Sequence, residues 1–156
     1  KPCIIVINKW DLAMKKNGDT EDFQDYIDKM LPGLSFSPIS FITASDGKNV
    51  QSLLDLAALL YKQSTTEVST GRLNKAIELI TKERAPSVRH KVGFPKIYYA
   101  TQVATQPPTI LFFVNKSDYF DENYQRFLTN KFREMLPFSE VPIRLMFRGH
   151  KKKKDS

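Results

Sequence analysis

The chain has 156 residues, of which 41% are hydrophobic, a composition typical of one globular domain or two small ones. Its single cysteine, Cys3, excludes an internal disulfide and fits a reducing cytosol, so we expect a cytoplasmic protein. The apolar runs are far shorter than the roughly 20 residues that span a bilayer, which argues against a membrane partner. Lys1 stands almost directly before a strand-like run, which we interpret as an internal boundary of a longer protein.

The net charge of +7 is unevenly distributed. Residues 1–62 hold seven Lys, no Arg and eight acids, a net −1, whereas residues 63–156 hold 17 basic and nine acidic residues, a net +8. Residues 148–156 supply +4 of that excess, from five basic residues and one acid. This asymmetry predicts a polyanion, with RNA as the leading candidate, as partner of the second half. The alternative is that the terminal lysine run is only a solvated tail.

Residues 1–64 alternate strand and helix signals. Strands are expected near residues 3–8 and 38–43. The helix between them begins at Asp19 or Thr20 and has an apolar stripe of Phe23, Tyr26, Ile27, Met30 and Leu31. Asn49 is expected to cap a second helix, whose inner face comprises Val50, Leu53, Leu54, Ala57, Leu60 and Tyr61. This order predicts an α/β domain with a parallel sheet.

A polar stretch at residues 63–69 marks a domain boundary. We expect a second domain at residues 65–150 and a separate basic tail at residues 151–156. A helix opened by Ser69 or Thr70 is predicted first, with Leu73, Ala76, Ile77 and Ile80 on one face. Strands near 96–103 and 109–115 follow. The next helix carries an apolar stripe of Tyr124, Phe127, Leu128, Phe132, Met135 and Leu136. In the last strand, Ile143, Leu145 and Phe147 alternate with Arg144, Met146 and Arg148. The order α-β-β-α-β predicts an α+β domain.

The sharpest local signal is Asn8-Lys9-Trp10-Asp11, at the carboxyl end of the first strand, where open α/β sheets bind ligands. The carboxylate of Asp11 can accept hydrogen bonds from guanine N1–H and from the guanine amino group, and adenine offers neither donor. We expect Asn8 to tie this loop to a neighbouring phosphate-binding segment. The stem of Lys9 can lie over the base.

A second match, Asn115-Lys116-Ser117-Asp118, also follows an apolar strand, so four residues alone are weak evidence. Only the first match is followed, one helix later, by a strand that ends in Thr43-Ala44-Ser45. A tight loop there can offer the Ala44 N–H to guanine O6. We therefore predict guanine binding at the first motif, and a turn leading into a helix at the second.

The motif, the Thr-Ala-Ser loop and their spacing resemble translation-factor-like GTPases. The segments Lys96–Gln102, Pro107–Thr109, Phe113–Asn115, Tyr124–Leu128, Arg133-Glu134 and Pro142–Arg144 are similar to the C-terminal domain of the bacterial Der (EngA) family. The resemblance implies that residues 1–64 are the C-terminal half of a P-loop NTPase G domain and that a KH-like domain follows. It also implies tandem G domains earlier in the same chain, GTP or GDP with Mg²⁺, GTP hydrolysis, and a role with rRNA in assembly of the large ribosomal subunit.

Three motifs are missing from the sequence. There is no G-x-x-x-x-G-K-[ST] or D-x-x-G segment, so we expect no catalytic residue, no Mg²⁺ ligand and no GTP turnover from this chain alone. No two glycines stand three apart, so the KH-type G-x-x-G clamp is missing and any RNA contact needs basic residues. The candidates are Arg89, Lys91, Arg144, Arg148, Lys151, Lys152, Lys153 and Lys154, together with His90. Each of them is otherwise a solvated surface charge.

Aromatic residues are further candidates for contact with bases. Trp10, Tyr98 and Tyr99 could stack on them, although Tyr98 and Tyr99 should face opposite sides of a strand and at least one should be core. His90 and His150 have no spaced partners, so no metal site is predicted. Two alternatives remain: an RNA-binding module with no nucleotide dependence, and a protein-interaction domain with a passive basic tail.

Overall fold

The structure is a computed structural model that describes residues 1–16, 18–86 and 93–149. The chain divides into two compact units. The first comprises Lys1–Ser64 with Glu140–Pro142, and the second comprises Thr65–Ser139 with the residues from Ile143 onward. No helix within the described residues is both long and apolar enough to cross a membrane.

The first unit pairs two short parallel strands and packs helices around them. Its strands are β1 (Ile5–Ile7) and β2 (Ile39–Phe41), with Ile5 opposite Ile39 and Ile7 opposite Phe41. Its helices are α1 (Trp10–Met14), α2 (Thr20–Met30) and α3 (Val50–Thr65), with 3-10 turns at Pro32–Leu34 and Ala44–Asp46. The mixed α/β character and the parallel pairing agree with the expectation. The short helix α1 was not predicted.

Helix α2 begins where the sequence indicated, because the carboxylate of Asp19 accepts a hydrogen bond from the Glu21 N–H at 3.1 Å. The inner face predicted for α3 is partly wrong. Leu60 is buried and Leu53 half-buried, but Leu54 and Tyr61 are 58% and 65% exposed. The face that packs in this unit is thus centred on a neighbouring stripe of the helix. Asn49 precedes α3 with φ +61°, and its amide donates to the Phe41 carbonyl at 2.8 Å.

The second unit has the predicted order α-β-β-α-β. It contains α4 (Thr70–Glu83), β3 (Ile97–Ala104), β4 (Thr109–Val114), a 3-10 turn (Ser117–Tyr119), α5 (Glu122–Met135) and β5 (Arg144–Gly149). The sheet order is β3-β4-β5, with β3 antiparallel and β5 parallel to the central strand. The predicted stripe of α4 is confirmed, since all four of its residues are buried.

The core of this unit lies between one face of the sheet and the two helices. Phe112 of β4 is fully buried and stacks on Phe147 of β5, with ring centroids 4.8 Å apart. Phe147 in turn stacks on Phe120 at 5.1 Å. The alternation in β5 is confirmed, because Leu145 and Phe147 are less exposed than Arg144, Met146 and Arg148. The sheet therefore has one packed face and one outer face.

Two side-chain contacts tie β3 to the segment that precedes it, and one of them covers the free backbone edge of β3 at Ala100. The Asn74 side chain of α4 accepts a hydrogen bond from the Ala100 N–H at 2.9 Å and donates to the Ala100 carbonyl at 2.8 Å. Gln102 accepts from the Val68 N–H at 2.8 Å and donates to the Thr66 carbonyl at 3.0 Å. At Ala100 the edge is thereby closed to pairing with another strand.

Candidate functional site

The two loops predicted to read guanine lie at the same edge of the first unit's sheet. Asn8 follows the end of β1, and Thr43 comes two residues after the end of β2. Because β1 and β2 are parallel neighbours, their carboxyl ends meet at one edge. This edge is where ligand contacts in an open α/β sheet are expected.

Three hydrogen bonds join these loops. The side-chain oxygen of Asn8 accepts from the Ala44 N–H at 3.1 Å. The Trp10 N–H donates to the Ile42 carbonyl at 3.0 Å, and the Asp11 N–H donates to Thr43 Oγ1 at 3.3 Å. At about 1 kcal/mol each, these bonds fix the motif against the second loop. Asn8 was expected to reach toward a phosphate-binding segment, and in the structure its side-chain oxygen binds the Thr-Ala-Ser loop.

Trp10 anchors the motif from within. Its side chain is 7% exposed and packs against Phe23 and Phe41, with ring centroids 5.2 and 4.5 Å away. The preceding residue, Lys9, has φ +58° and ψ +37°, a left-handed conformation that costs a non-glycine residue about 1 kcal/mol. This turn directs Trp10 inward and leaves Lys9 exposed. The suggestion that Trp10 stacks on a base is therefore wrong, because its ring is already enclosed.

The Thr-Ala-Ser loop is closed by its own backbone. Thr43 is 2% exposed, and its N–H and carbonyl both pair with Lys48, each at 3.1 Å. Ala44 and Ser45 are exposed, and the Ser45 hydroxyl donates to Asp46 at 2.8 Å. Lys48 was not among the predicted site residues. The signal that could have indicated it is Gly47, whose φ of +68° ends the 3-10 turn and directs the chain back toward Thr43.

The donors and acceptors at this edge match the edge of guanine. The partly exposed Asp11 carboxylate is an acceptor for two neighbouring N–H groups. The Ala44 N–H is a donor of the kind that guanine O6 needs, and it is directed at Asn8 Oδ1 in this structure. A base oxygen bound by the Ala44 N–H would share or replace that bond with Asn8.

The second motif repeats one hydrogen bond of the first but differs in backbone conformation, because Lys116 is extended (φ −146°) where Lys9 is left-handed. Asn8 accepts from the Lys9 N–H at 2.7 Å, and Asn115 accepts from the Lys116 N–H at 2.9 Å. Asn115 also accepts from the Lys96 N–H at 2.9 Å and donates to the Phe94 carbonyl at 2.7 Å. Its side chain thus holds the start of β3, and the prediction of a turn leading into a helix is confirmed by the 3-10 turn and α5.

The structure describes only some of the candidate RNA contacts. Arg144 and Arg148 are exposed on β5 and share the outer face of the sheet. Other candidates lie outside the described residues: Arg89, His90, Lys91, Lys151, Lys152, Lys153 and Lys154, as does His150. The expectation that Tyr98 or Tyr99 is core is wrong, because they are 49% and 47% exposed. Both tyrosines border an open cleft beside α4, and Tyr99 also pairs with Phe113 on the outer face of the sheet.

Comparison with known proteins identifies the family. Residues 67–148 match the model of the KH-domain-like domain of EngA bacterial GTPases, C-terminal. The chain belongs to the Der (EngA) family. It is 41% identical over 145 residues to GTPase Der of Rhodopirellula baltica, covering 93% of this chain and 32% of that protein. It is also 41% identical over 156 residues to GTPase Der of a Sulfurihydrogenibium species, covering 99% and 34%.

A third relative, GTPase Der of Acaryochloris marina, is 36% identical over 151 residues, covering 97% of this chain and 33% of the relative. The chain thus spans about a third of the length of the Der proteins that it matches. The similarity extends across both units of the chain, because at least 93% of its residues are aligned in each case.

Proposed function

We propose that this chain supplies the guanine-reading part of a G domain and the adjoining KH-like domain of a GTP-hydrolysing protein. The observation that carries the proposal is the joining of two parallel-strand loops by the Asn8–Ala44 and Asp11–Thr43 hydrogen bonds. Residues 1–64 are the C-terminal half of the G domain in this proposal. Residues 65–150 are the KH-like domain, and residues 151–156 are a basic tail.

Recognition of the base follows from the named atoms. The Asp11 carboxylate accepts from guanine N1–H and from the amino group, while the Ala44 N–H donates to O6. Thr43 fixes the Asp11 backbone through a buried hydroxyl, so that the carboxylate is held in position before the nucleotide arrives. Lys9 covers the base with its stem, Ser45 lines the O6 side, and Trp10 anchors the loop from behind.

Hydrolysis needs parts that this sequence does not contain. Phosphoryl transfer relies on a phosphate loop and on Mg²⁺, and neither phosphate-binding motif occurs in the 156 residues. Across the described residues, no group of three or more His, Cys, Asp and Glu side chains could hold a metal ion. The 156 residues thus lack the segments that hold the phosphates and Mg²⁺ in this type of reaction. We assign turnover and Mg²⁺ binding to upstream G-domain segments of the longer protein.

The second unit provides the proposed partner surface. We propose that it binds rRNA during assembly of the large ribosomal subunit, in the cytoplasm. The excess of positive charge in residues 63–156 supports this proposal, as does the family to which the chain belongs. In this proposal, the nucleotide state of the G domains, including those upstream in the same chain, hides or exposes the RNA-facing surface.

Base recognition is tested by Asp11→Asn in the full-length protein, with hydrolysis of GTP and of XTP measured side by side. Xanthine has a carbonyl where guanine has the amino group, so an Asn amide donates where Asp accepts. We expect GTP use to fall and XTP use to rise. Asp25→Asn, at an exposed carboxylate on helix α2, is the matched control and should leave the preference unchanged. Unchanged preference in Asp11→Asn, with GTP turnover intact, would remove the assignment.

A further inference from the structure

The outer face of the second unit's sheet brings together aromatic and basic side chains. Across the three strands, Tyr99 pairs with Phe113, and Phe113 pairs with Arg148. Paired residues point to the same side of a sheet, so these side chains form one transverse row. The neighbouring row is Thr101, Leu111 and Met146, and Arg144 lies opposite Thr109 at the end of the face.

The aromatic pair is organised and accessible. The rings of Tyr99 and Phe113 stack with centroids 4.4 Å apart and an interplanar angle of 16°. Tyr99 is nevertheless 47% exposed. One side of the Tyr99 ring is covered by Phe113, and the exposure leaves surface on which a further flat ring can extend the stack. Packing requires no exposed stack of this kind, because the opposite face of the sheet already carries the core.

The charges of this face select a polyanion over an apolar protein segment. Arg144 and Arg148 are exposed. None of the residues paired with them or in the neighbouring row is acidic: Tyr99, Phe113, Thr101, Leu111, Met146 and Thr109. In the sequence, a run of four lysines begins two residues after β5 ends at Gly149. Flat π surface flanked by arginine is the combination that binds unpaired bases and their phosphates.

We propose that this outer face is a stacking platform for an unpaired base of single-stranded RNA, with Tyr99 as the stacking residue and Arg148 and Arg144 as phosphate contacts. This proposal rests on the proposed function, in which the second unit binds RNA. It adds which surface of that unit contacts the RNA and that the RNA is single-stranded there. It uses a sheet face rather than a glycine clamp, consistent with the absence of G-x-x-G from the sequence.

The test measures fluorescence anisotropy of labelled oligouridine of about 12 nucleotides, within the range of single-strand sites, on the full 156-residue chain. Tyr99→Leu keeps apolar bulk but removes the π face, and we expect it to weaken binding about tenfold. Tyr99→Phe should restore wild-type affinity. Tyr26→Leu is the matched control, because Tyr26 is a tyrosine of helix α2 that is 59% exposed and lies outside this sheet. It should have no effect.

Two further readouts separate stacking from charge. Tyr99→Leu should leave the salt dependence of binding unchanged, whereas Arg148→Gln should reduce its slope by about 0.7, as expected for one phosphate contact on a single strand. A 2-aminopurine base placed within the oligonucleotide should be quenched on binding to the wild-type chain and less so by Tyr99→Leu. Circular dichroism melting of each variant checks that its fold is retained.

Three outcomes would overturn the platform. If Tyr99→Leu and Tyr26→Leu weaken binding equally, the effect is not specific to this face. If deletion of Lys151–Lys154 weakens RNA binding but Tyr99→Leu does not, the stacking platform is refuted, while RNA binding by the second unit is still supported. If Tyr99→Leu leaves RNA affinity intact but weakens association with the upstream part of the protein, the face is a protein docking surface. The expected change in nucleotide preference of Asp11→Asn, from GTP to XTP, does not depend on any of these three outcomes.

Discussion

Substitution of Asn74 is the most direct test of how the second unit is stabilised. Its side-chain amide makes the two hydrogen bonds to Ala100 that a neighbouring strand would make at the free edge of β3. Substitution to Ala removes the acceptor of the Ala100 N–H and the donor to the Ala100 carbonyl, which lie at 2.9 and 2.8 Å. Ala100 is fully buried, so water cannot replace these bonds without rearrangement. Each unsatisfied buried backbone group costs about 1–3 kcal/mol.

The higher helix propensity of Ala returns roughly 0.5 kcal/mol, so we expect Asn74→Ala to lose about 2 kcal/mol of unfolding free energy. For a domain of this size that loss lowers Tm by about 10 °C. The matched control is Asn130→Ala, the same substitution at an exposed position within α5, which should be neutral or slightly stabilising. Urea denaturation followed by circular dichroism gives both free energies.

Amide hydrogen exchange adds a local readout, because the Ala100 N–H should lose protection in Asn74→Ala before its neighbours on β4 do. The reasoning would be refuted by a difference of less than about 0.5 kcal/mol between the two Asn→Ala variants, which is within the error of additive estimates. It would also be refuted if the Ala100 amide remained as protected as in the wild-type chain.

Two further predictions concern Thr43 and Tyr124. Thr43→Val removes the acceptor of the Asp11 N–H at constant volume, so guanine nucleotide affinity of the full-length protein, measured by calorimetry, should fall about fivefold, while Thr43→Ser retains it. Burial raises the pKa of Tyr124 to about 12, and Arg84 opposes the shift. Because the folded pKa exceeds the ordinary value of about 10, this stabilisation is complete below pH ~10 and is lost between about 10 and 12. Tyr124→Phe should flatten the alkaline fall in Tm; an unchanged slope would contradict the assignment.

Periodicity predicted the second unit well because its helices bury a single stripe and its strands cover one face. Leu73, Ile77 and Ile80 mark the buried face of α4 unambiguously. Helix α3 was harder, because its sequence carries apolar residues on more than one stripe. The pattern therefore did not distinguish Leu53, which packs within this unit, from Leu54, which is exposed.

The candidate site shows a second limit of local pattern. Asn8 and Asn115 each accept a hydrogen bond from the next backbone N–H after a strand, but the backbone then differs, left-handed at Lys9 and extended at Lys116. What separates them is a distant partner: Ala44 for the first, and Lys96 for the second. The following Thr-Ala-Ser loop was the only sequence signal of that partner. The outer-face pairing of Tyr99 with Phe113 had no such signal, because it depends on strand register.

The position of Trp10 has a practical consequence for solution work. It is the only tryptophan in the chain, and it is enclosed by Phe23 and Phe41 directly behind the motif that we propose reads guanine. Its emission can therefore be assigned to one place without labelling. The Trp10 N–H donates to the Ile42 carbonyl, so the indole is coupled to the loop of Asn8, Lys9 and Asp11. We expect a movement of that loop to change the fluorescence emission of Trp10.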